Sequence, residues 1–449
     1  MSARTIVTLL VATALTAGGN AAARPVALVG ATVHTVSGPT IENGTVVMDG
    51  GKITAVGSSV AVPTDATVVQ LQGKHLYPGL VSPNTVLGLV EINSVRGTVD
   101  VAETGAINPN VRAEVEINPD SELLPVARAN GITSALVIPR GGSSQGSPFN
   151  AIPGTSALVH LDGWTFEDMT VRAPVGLHVQ WPNMTPVHAF FELRSDEDQK
   201  KERDKTLQTL TSAFEDARAY MRATQAEGKA GVPRHDRDPR WEAMIPALKG
   251  EIPVFIHANT LDQIRAALRF ADQESLKRVV LVGGYDAGRV ADELRHRDIA
   301  VILNPTLAEP RRVDEPYDAA FTPAATLQRA GVRFCISDGG QAGTAMNARN
   351  LAYNAAMAAA FGLPRDQALK AVTLYPAQIL GVGDKVGSIE VGKIADLIVT
   401  TGDPLEIETK VERVWTAGKE SSMENRQTRL FHKYDARPRG ANARKGQAE

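Results

Sequence analysis

Short apolar runs fill the first part of the chain, and turn signals separate them. From Pro25 to Gln72 the runs are three to five residues long, and Asn43-Gly44 and Asp49-Gly50 lie between them. Apolar runs bounded by Gly, Asn and Asp are typical of β-strands joined by hairpins. Too few strands occur here to close a sheet domain alone. We therefore expect partner strands from elsewhere in the chain.

From Pro78 onwards, buried runs alternate with amphipathic stretches. Ser195 begins a long helical pattern with one apolar stripe, which ends at Gly228. Repeated strand–helix units of this kind predict a parallel sheet, and a (β/α)8 TIM-like barrel fits best. A doubly wound open sheet is the alternative, but no glycine-rich dinucleotide motif follows its first strand. The predicted strands include Ile132–Ile138, Pro174–Trp181, Ile252–His257, Val279–Val282, Ile299–Leu303 and Val332–Ile336.

Two motifs carry a resemblance to a known family. Tyr77-Pro78-Gly79-Leu80-Val81, with the residues after it, resembles the first barrel strand of the amidohydrolase superfamily, and most closely its imidazolonepropionase-like branch. That family reads Pro-Gly-x-(Ile/Val)-Asp-x-His-x-His there. Gly387 to Leu397 resembles the family's motif Gly-x-(Ile/Leu)-x-x-Gly-Lys-x-Ala-Asp-(Leu/Ile). The resemblance implies an α/β fold with a barrel and a composite β-sandwich domain built from both chain ends.

The motifs and the change of pattern divide the chain into five predicted segments. The barrel is expected at residues 78–386, between two parts of the β-domain at 24–77 and 387–419. Residues 420–449 are polar and basic with little periodicity, which predicts a disordered tail. Residues 1–23 hold Arg4, a short apolar run and Ala21-Ala22-Ala23, which predict a signal peptide and a periplasmic or secreted protein.

The resemblance also implies site residues. His257 matches the family's fifth-strand metal ligand, and Asp338 matches the eighth-strand aspartate that touches the metal and transfers the proton of the attacking water. His178 lies near a fourth-strand ligand position, although a core histidine is an equal alternative. A carboxylate suits the role of Asp338 because it can accept a proton from water and pass it to a leaving nitrogen. His75, His160 and His188 receive no role.

Other family ligands are missing from this sequence. Asn84 and Val86 occupy the two histidine positions of the first motif, and Gly283 occupies the sixth-strand histidine position. A catalytic zinc usually has three protein ligands, so we expect at most one weakly bound divalent metal such as zinc, or none. Asn84 and Glu91 are candidate substrate-binding residues, with an ordinary surface glutamate as the alternative for Glu91.

Composition narrows the function further. The formal net charge of −3 gives no field that attracts nucleic acid, and the single Cys335 excludes an internal disulfide. The apolar run within the first 23 residues is shorter than the roughly 20 apolar residues that a membrane-spanning helix needs. We expect a small-molecule substrate and no membrane insertion after signal removal. The sequence is compatible with an oligomer.

Two functions remain open from the sequence. One is an exported hydrolase of non-peptide C–N bonds in amides or cyclic amides; the other is a degenerate barrel that serves as a binding or structural protein. The loop after the long helix carries Arg234, Arg237 and Arg240. It is interpreted either as a lid that meets an anionic ligand at the barrel mouth or as a solvated loop on the outer wall.

Overall fold

Two eight-stranded sheets organise the protein in the computed structural model, which describes residues 24–141, 149–189, 192–228, 234 and 236–437. The predicted signal segment 1–23 lies outside the described residues. The strands are β1 (Val26–Val33), β2 (Ile41–Asp49), β3 (Lys52–Gly57), β4 (Thr67–Gln70), β5 (His75–Pro78), β6 (Leu80–Thr85), β7 (Ile132–Val137), β8 (Gly154–His160), β9 (Thr170–Gln180), β10 (Val254–Ala258), β11 (Val279–Gly283), β12 (Ala300–Leu303), β13 (Phe334–Ile336), β14 (Leu397–Thr400), β15 (Val411–Thr416) and β16 (Lys419–Ser421).

The helices lie mainly between the strands of the second sheet. Short 3-10 turns occur at Arg96–Thr98, Ala113–Glu116, Ala287–Val290 and Ala342–Asn350. None of the helices in the described ranges combines the length and the apolar composition that a membrane crossing requires. The α-helices are α1 (Leu123–Arg128), α2 (Phe166–Met169), α3 (Asp196–Ala226), α4 (Pro239–Lys249), α5 (Leu261–Gln273), α6 (Ala291–His296), α7 (Pro323–Arg329), α8 (Leu351–Ala360), α9 (Arg365–Lys370), α10 (Leu374–Ile379) and α11 (Arg426–Asp435).

The second sheet is a nearly closed barrel, which confirms the predicted fold class. Its strands follow one another in chain order from β6 to β13, and these two strands are the ends of the hydrogen-bonding path. Every strand of the barrel is rich in buried apolar residues, as expected for parallel strands covered by helices. Since parallel strands end at the same side, the residues after β9, β10, β11, β12 and β13 meet at one mouth.

The third barrel strand differs from the expected parallel arrangement. β8 pairs antiparallel with both β7 and β9. Between β8 and β9 only the four-residue α2 intervenes, and a parallel crossover needs a dozen or more residues. The chain therefore reverses directly. As a consequence, the start of β8 lies at the mouth, and its last residue, His160, lies at the opposite end rather than in the loop where the sequence placed it.

The first sheet joins both ends of the chain. β14 pairs antiparallel with β5, with Leu397 opposite Pro78 and Thr400 opposite His75. This sheet encloses a second apolar core that is separate from the barrel core and includes Leu28, Met48 and Trp415. The N-terminal strands thus obtain the partners that their own segment could not supply.

The predicted disordered tail is wrong for its first part. Within residues 420–437, β16 extends the first sheet and α11 follows. Asn425 caps α11 reciprocally with Thr428, and Arg429 pairs with Glu122 at 2.6 Å. These contacts involve single residues without an apolar period, which is why the pattern did not indicate them. Residues 438–449 lie outside the described part of the chain.

The long helix α3 connects the fourth and fifth barrel strands, as predicted. Near its C-terminal end, Arg218 pairs with Glu274, which follows α5 and precedes β11 in the chain. This end of α3 is therefore on the side opposite the mouth. Arg237 pairs with Glu242 at 3.1 Å, and Arg240 pairs with Asp238 at 2.8 Å. This placement favours the outer-wall interpretation of the arginine loop over the lid, although residues 229–233 and 235 lie outside the described ranges.

Candidate active site

The three predicted site residues lie on three different barrel strands. His178 is on β9, the fourth strand, and His257 is on β10, the fifth, directly across from Gln180 in the parallel register. Asp338 follows β13, the eighth strand, by two residues. His178 and Asp338 are almost completely buried. The structure thus brings the two histidines together, with Asp338 on a strand at the far end of the sheet path.

The two histidines form a direct pair. His178 Nδ1 lies 2.8 Å from His257 Nε2, and the rings are tilted with centroids 5.1 Å apart. Burial and the nearby Arg140 guanidinium lower the pKa of His178 to about 3. Burial, His178 and Arg140 lower the pKa of His257 well below its usual value. Both imidazoles are therefore neutral at physiological pH, so one of the facing nitrogens donates and the other accepts.

Asp338 is held by the first barrel strand. Its Oδ1 accepts a hydrogen bond from the Ser82 hydroxyl, and its Oδ2 is buried without a hydrogen-bond partner. Burial raises the pKa of Asp338 to about 6, while hydrogen bonds from Ser82 and Thr85 oppose that rise. One carboxylate oxygen is thus fixed by the protein and the other is left for a ligand.

A cavity of about 180 Å³ opens beside this carboxyl group. It lies at the C-terminal ends of β11, β12 and β13, where barrel chemistry normally occurs. Asp338, Tyr285 and Arg311 are among the residues that line it. The cavity therefore joins a buried acid to a basic rim.

Amide side chains fill the mouth where the family motif places histidines. Asn84 is buried against Gly340, and its Oδ1 has no partner. At Gly283, which has a φ of +101°, an added Cβ would lie 2.5 Å from Asn259 Oδ1. Asn259 in turn accepts a hydrogen bond from Asn304 at 2.6 Å. The space of the missing sixth-strand side chain is thus occupied by an amide from the neighbouring strand end.

These residues do not fit the metal centre that the family implies. No group of three or more His, Cys, Asp or Glu side chains in the described ranges is arranged to hold a metal ion. The facing nitrogens of His178 and His257 are engaged with each other, and Asp338 is tied to Ser82. Asparagine amides are weak ligands for zinc, which prefers thiolate, imidazole and carboxylate groups. We therefore derive no chemical step from a metal.

Sequence reasoning found some of this site and missed other parts. Glu91 accepts a hydrogen bond from Asn118 at 3.4 Å and does not line the Asp338 cavity. The role of Ser82 was missed, because its hydrogen bond to Asp338 depends on the meeting of β6 and β13. Arg140 and Arg311 follow strands at the mouth, but nothing in their local sequence distinguishes them from other loop arginines.

The comparisons agree with this architecture. A model described as the amidohydrolase family matches residues 172–421, more than half of the chain. The solved structure of an amidohydrolase from Thermotoga maritima MSB8 superimposes with a TM-score of 0.77 at 26% identity, covering 88% of this chain and 99% of that one. The imidazolonepropionase of Caulobacter vibrioides is 24% identical over 84% of this chain and 91% of its own length.

The chain belongs to the amidohydrolase family, and the resemblance drawn from its motifs is confirmed. A further relative, the amidohydrolase tasK of Hapsidospora irregularis, is 26% identical over 84% of this chain. The chain spans only 39% of the length of that relative. The family and the fold are thus shown, whereas the reaction must be argued from the site.

Proposed function

We propose that this protein hydrolyses a C–N bond in a small amide or cyclic amide, with Asp338 as the proton-transfer group. The observation that carries this proposal is the buried carboxyl group of Asp338, which has one oxygen held by Ser82 and the other without a partner beside a cavity. The relatives named as imidazolonepropionase and amidohydrolase support the reaction class.

The reaction requires one water molecule and one proton carrier. The water oxygen forms a bond to the amide carbon, the C–N bond breaks, and the proton of the water ends on the leaving nitrogen. The Asp338 carboxylate accepts that proton through Oδ2 and then donates it to the nitrogen. Ser82 keeps Oδ1 occupied and so presents Oδ2 to the cavity. The sequence-based expectation of at most one weakly bound metal stays a prediction.

A second candidate function is a binding protein without catalysis. Asn84 and Gly283 at family ligand positions favour it, because neither side chain can replace an imidazole as a metal ligand. The pairing of His178 Nδ1 with His257 Nε2 favours it as well, since the facing nitrogen of each ring is already engaged. In this case the cavity would hold a small molecule without cleaving it.

Metal analysis and an activity panel on the purified protein separate the two candidates. The panel contains cyclic amides and N-acyl amino acids, each assayed with the wild type and Asp338→Asn. Loss of general acid–base catalysis is expected to lower kcat by about 10²- to 10⁴-fold. Asp292→Asn is the matched control, because Asp292 is an exposed carboxylate on α6.

Four outcomes are informative. Hydrolysis by the wild type and its loss in Asp338→Asn alone support the enzyme. Equal rates in both proteins contradict the role of Asp338. A folded protein that hydrolyses nothing in the panel supports the binding function. A stoichiometric metal that is lost in His257→Ala would show that these residues do hold a metal, against the conclusion drawn above from their geometry.

We also propose that the protein is exported. The support is the sequence of residues 1–23, with Arg4 before an apolar run and small residues at its end. The mature chain would begin near Arg24.

A further inference from the structure

The C-terminal helix α11 lies on the surface with its apolar side uncovered. None of its side chains is buried in the described structure. Phe431 is 64% exposed, Tyr434 is 62% exposed and Leu430 is 38% exposed. A helix with one apolar side gains its stability by burying that side against another element. The apolar side of α11 has no such element within the described chain, so it is free to meet a partner.

The contacts that fix α11 come from its N-terminal half. The Asn425 side chain accepts the backbone N–H of Thr428 at 3.1 Å, and Arg429 pairs with Glu122, which precedes α1, at 2.6 Å. Thr428 also lines a groove together with Ile407 from the loop after β14, and Ile407 is 79% exposed. The helix is thus attached by polar contacts, and a further apolar side chain lies open beside it.

Cations flank the apolar side of the helix. At 3.6 residues per turn, its three apolar side chains span about 100° of the circumference, and Arg426 and Lys433 follow directly beside Leu430. Both of these cations are exposed. Asp435 is the one acidic residue of the helix and lies on the other side of Phe431. One edge of the apolar surface is therefore basic.

The charge of this end of the chain is opposite to that of the remainder. Residues 426–449 contain seven Lys or Arg and two acidic residues. The whole chain nevertheless has a formal net charge of −3, so the part before residue 426 is more negative still. An anionic surface attracts the α11 end of such a molecule and repels the rest, which orients the helix towards that surface. The expected partner is thus anionic and also accepts apolar side chains.

Two other partners fit this surface less well. A second copy in a two-fold dimer would place the same patch against itself and bring two basic segments together. Three apolar side chains also supply only part of the roughly 800 Å² that each partner buries in a specific interface. A nucleic acid offers phosphates but no apolar phase for Leu430 and Phe431, and it is repelled by the negative remainder of the chain.

We propose that α11 binds the surface of an anionic lipid bilayer. Leu430, Phe431 and Tyr434 enter the boundary between headgroups and acyl chains, and Arg426 and Lys433 meet the lipid phosphates. A helix with one aromatic and aliphatic side and a basic edge lies in the plane of this interface rather than across the bilayer. The proposal is independent of the chemistry at Asp338, because it would hold the enzyme and the binding protein at a membrane alike.

Flotation with lipid vesicles tests the proposal. The full chain is mixed with vesicles of phosphatidylcholine alone or of phosphatidylcholine and phosphatidylglycerol in equal parts, and the bound fraction is measured against lipid concentration. One variant is Phe431→Ser with Tyr434→Ser, and the other is Arg426→Gln with Lys433→Gln. All proteins share the same N-terminus, so any contribution from residues 1–23 is common to them. Because the four side chains are exposed, both variants should keep the wild-type thermal midpoint.

Leu193→Ser with Lys200→Gln is the matched control. These residues are an exposed apolar side chain and an exposed cation near the start of α3. Helix α3 connects the fourth and fifth barrel strands, whereas α11 pairs with the segment between the first and second. The control therefore changes the same kinds of side chain on a different part of the barrel wall.

We expect the wild type to bind the anionic vesicles and to bind the neutral vesicles much more weakly. Loss of the two aromatic side chains should raise the Kd by at least about 10-fold, and loss of the two cations by about 30-fold at low salt. Added NaCl should weaken wild-type binding because it screens the charges. The control variant should bind as the wild type does.

Several results would overturn the proposal. These are no binding to anionic vesicles, equal binding to both vesicle types, and binding that either α11 variant retains in full. Sedimentation that shows a dimer, lost in the aromatic variant, without vesicle binding would assign the surface to a second copy. Tighter binding of single-stranded DNA than of anionic vesicles would assign it to nucleic acid.

Discussion

Asp396 is the residue whose removal should most weaken the contact between the barrel and the small sheet. Its Oδ2 lies 3.0 Å from His160 Nε2 and 3.2 Å from Ser134 Oγ, and its Oδ1 accepts the backbone N–H of Ala417 at 2.8 Å. Its backbone carbonyl accepts the N–H of Gly79 at 2.9 Å. One buried aspartate thus binds the second and third barrel strands and the last hairpin of the sheet.

The magnitude follows from what Asp396→Ala leaves behind. Burial lowers the pKa of His160, but the Asp396 carboxylate outweighs this effect through its charge and hydrogen bond and raises the pKa above the usual value. The raised pKa widens the pH range in which His160 is protonated and its contact with Asp396 is ionic. Breaking a buried ion pair by removing one partner costs about 3–5 kcal/mol. That loss is a large fraction of the roughly 5–15 kcal/mol by which folded proteins are stable.

Urea unfolding followed by tryptophan fluorescence measures this loss, because Trp415 is buried in the small sheet opposite Leu397. Asp396→Asn should cost less, since an amide oxygen can still accept from Ala417. Asp292→Ala is the control, and its exposed surface pair predicts a loss below about 1 kcal/mol. If Asp396→Ala were no more destabilising than the control, Asp396 would not hold the two sheets together.

Two further predictions concern pH and export. Because the pKa of His160 is raised in the folded state, the pair stabilises fully below the unfolded pKa of about 6.5 and loses its effect as pH rises through the folded value. The difference in unfolding free energy between the wild type and His160→Gln should therefore shrink from pH 6 to pH 9, and a constant difference would refute the ionic pair. For export, mass spectrometry of the protein recovered from the periplasmic or secreted fraction should find an N-terminus near Arg24. An intact Met1 would contradict cleavage.

Local pattern predicted seven of the eight barrel strands, because buried parallel strands produce apolar runs that need no distant information. It predicted neither β8 nor its direction, since direction depends on the connection and not on the period of the strand. It also placed His160 in a loop, whereas the residue ends β8 and faces Asp396. That contact joins residues 236 positions apart, a separation that no local window detects.

The candidate site was predictable only where a residue stands at the end of a recognisable strand. His257 and Asp338 follow apolar runs, so their position at the mouth was expected. The ion pairs of Arg312 with Asp286 and Glu315 were not expected, because they depend on how the loop after β12 folds. Which carboxylates an arginine of this loop meets depends on the geometry of the loop and of Tyr285, and composition alone does not contain it.

The two family motifs that survive in this sequence act at the end of the barrel opposite the chemistry. A Cβ on Gly79 would lie 2.0 Å from Thr133 Oγ1, so only glycine allows the close approach of the chain before β6 to β7. The N–H of Gly79 is bonded to the carbonyl of Asp396, which joins the first motif to the second. The two motifs do not determine which residues occupy the mouth, where Asn84 and Gly283 lie. Motif similarity therefore carries the fold, and the chemistry must be established at Asp338 itself.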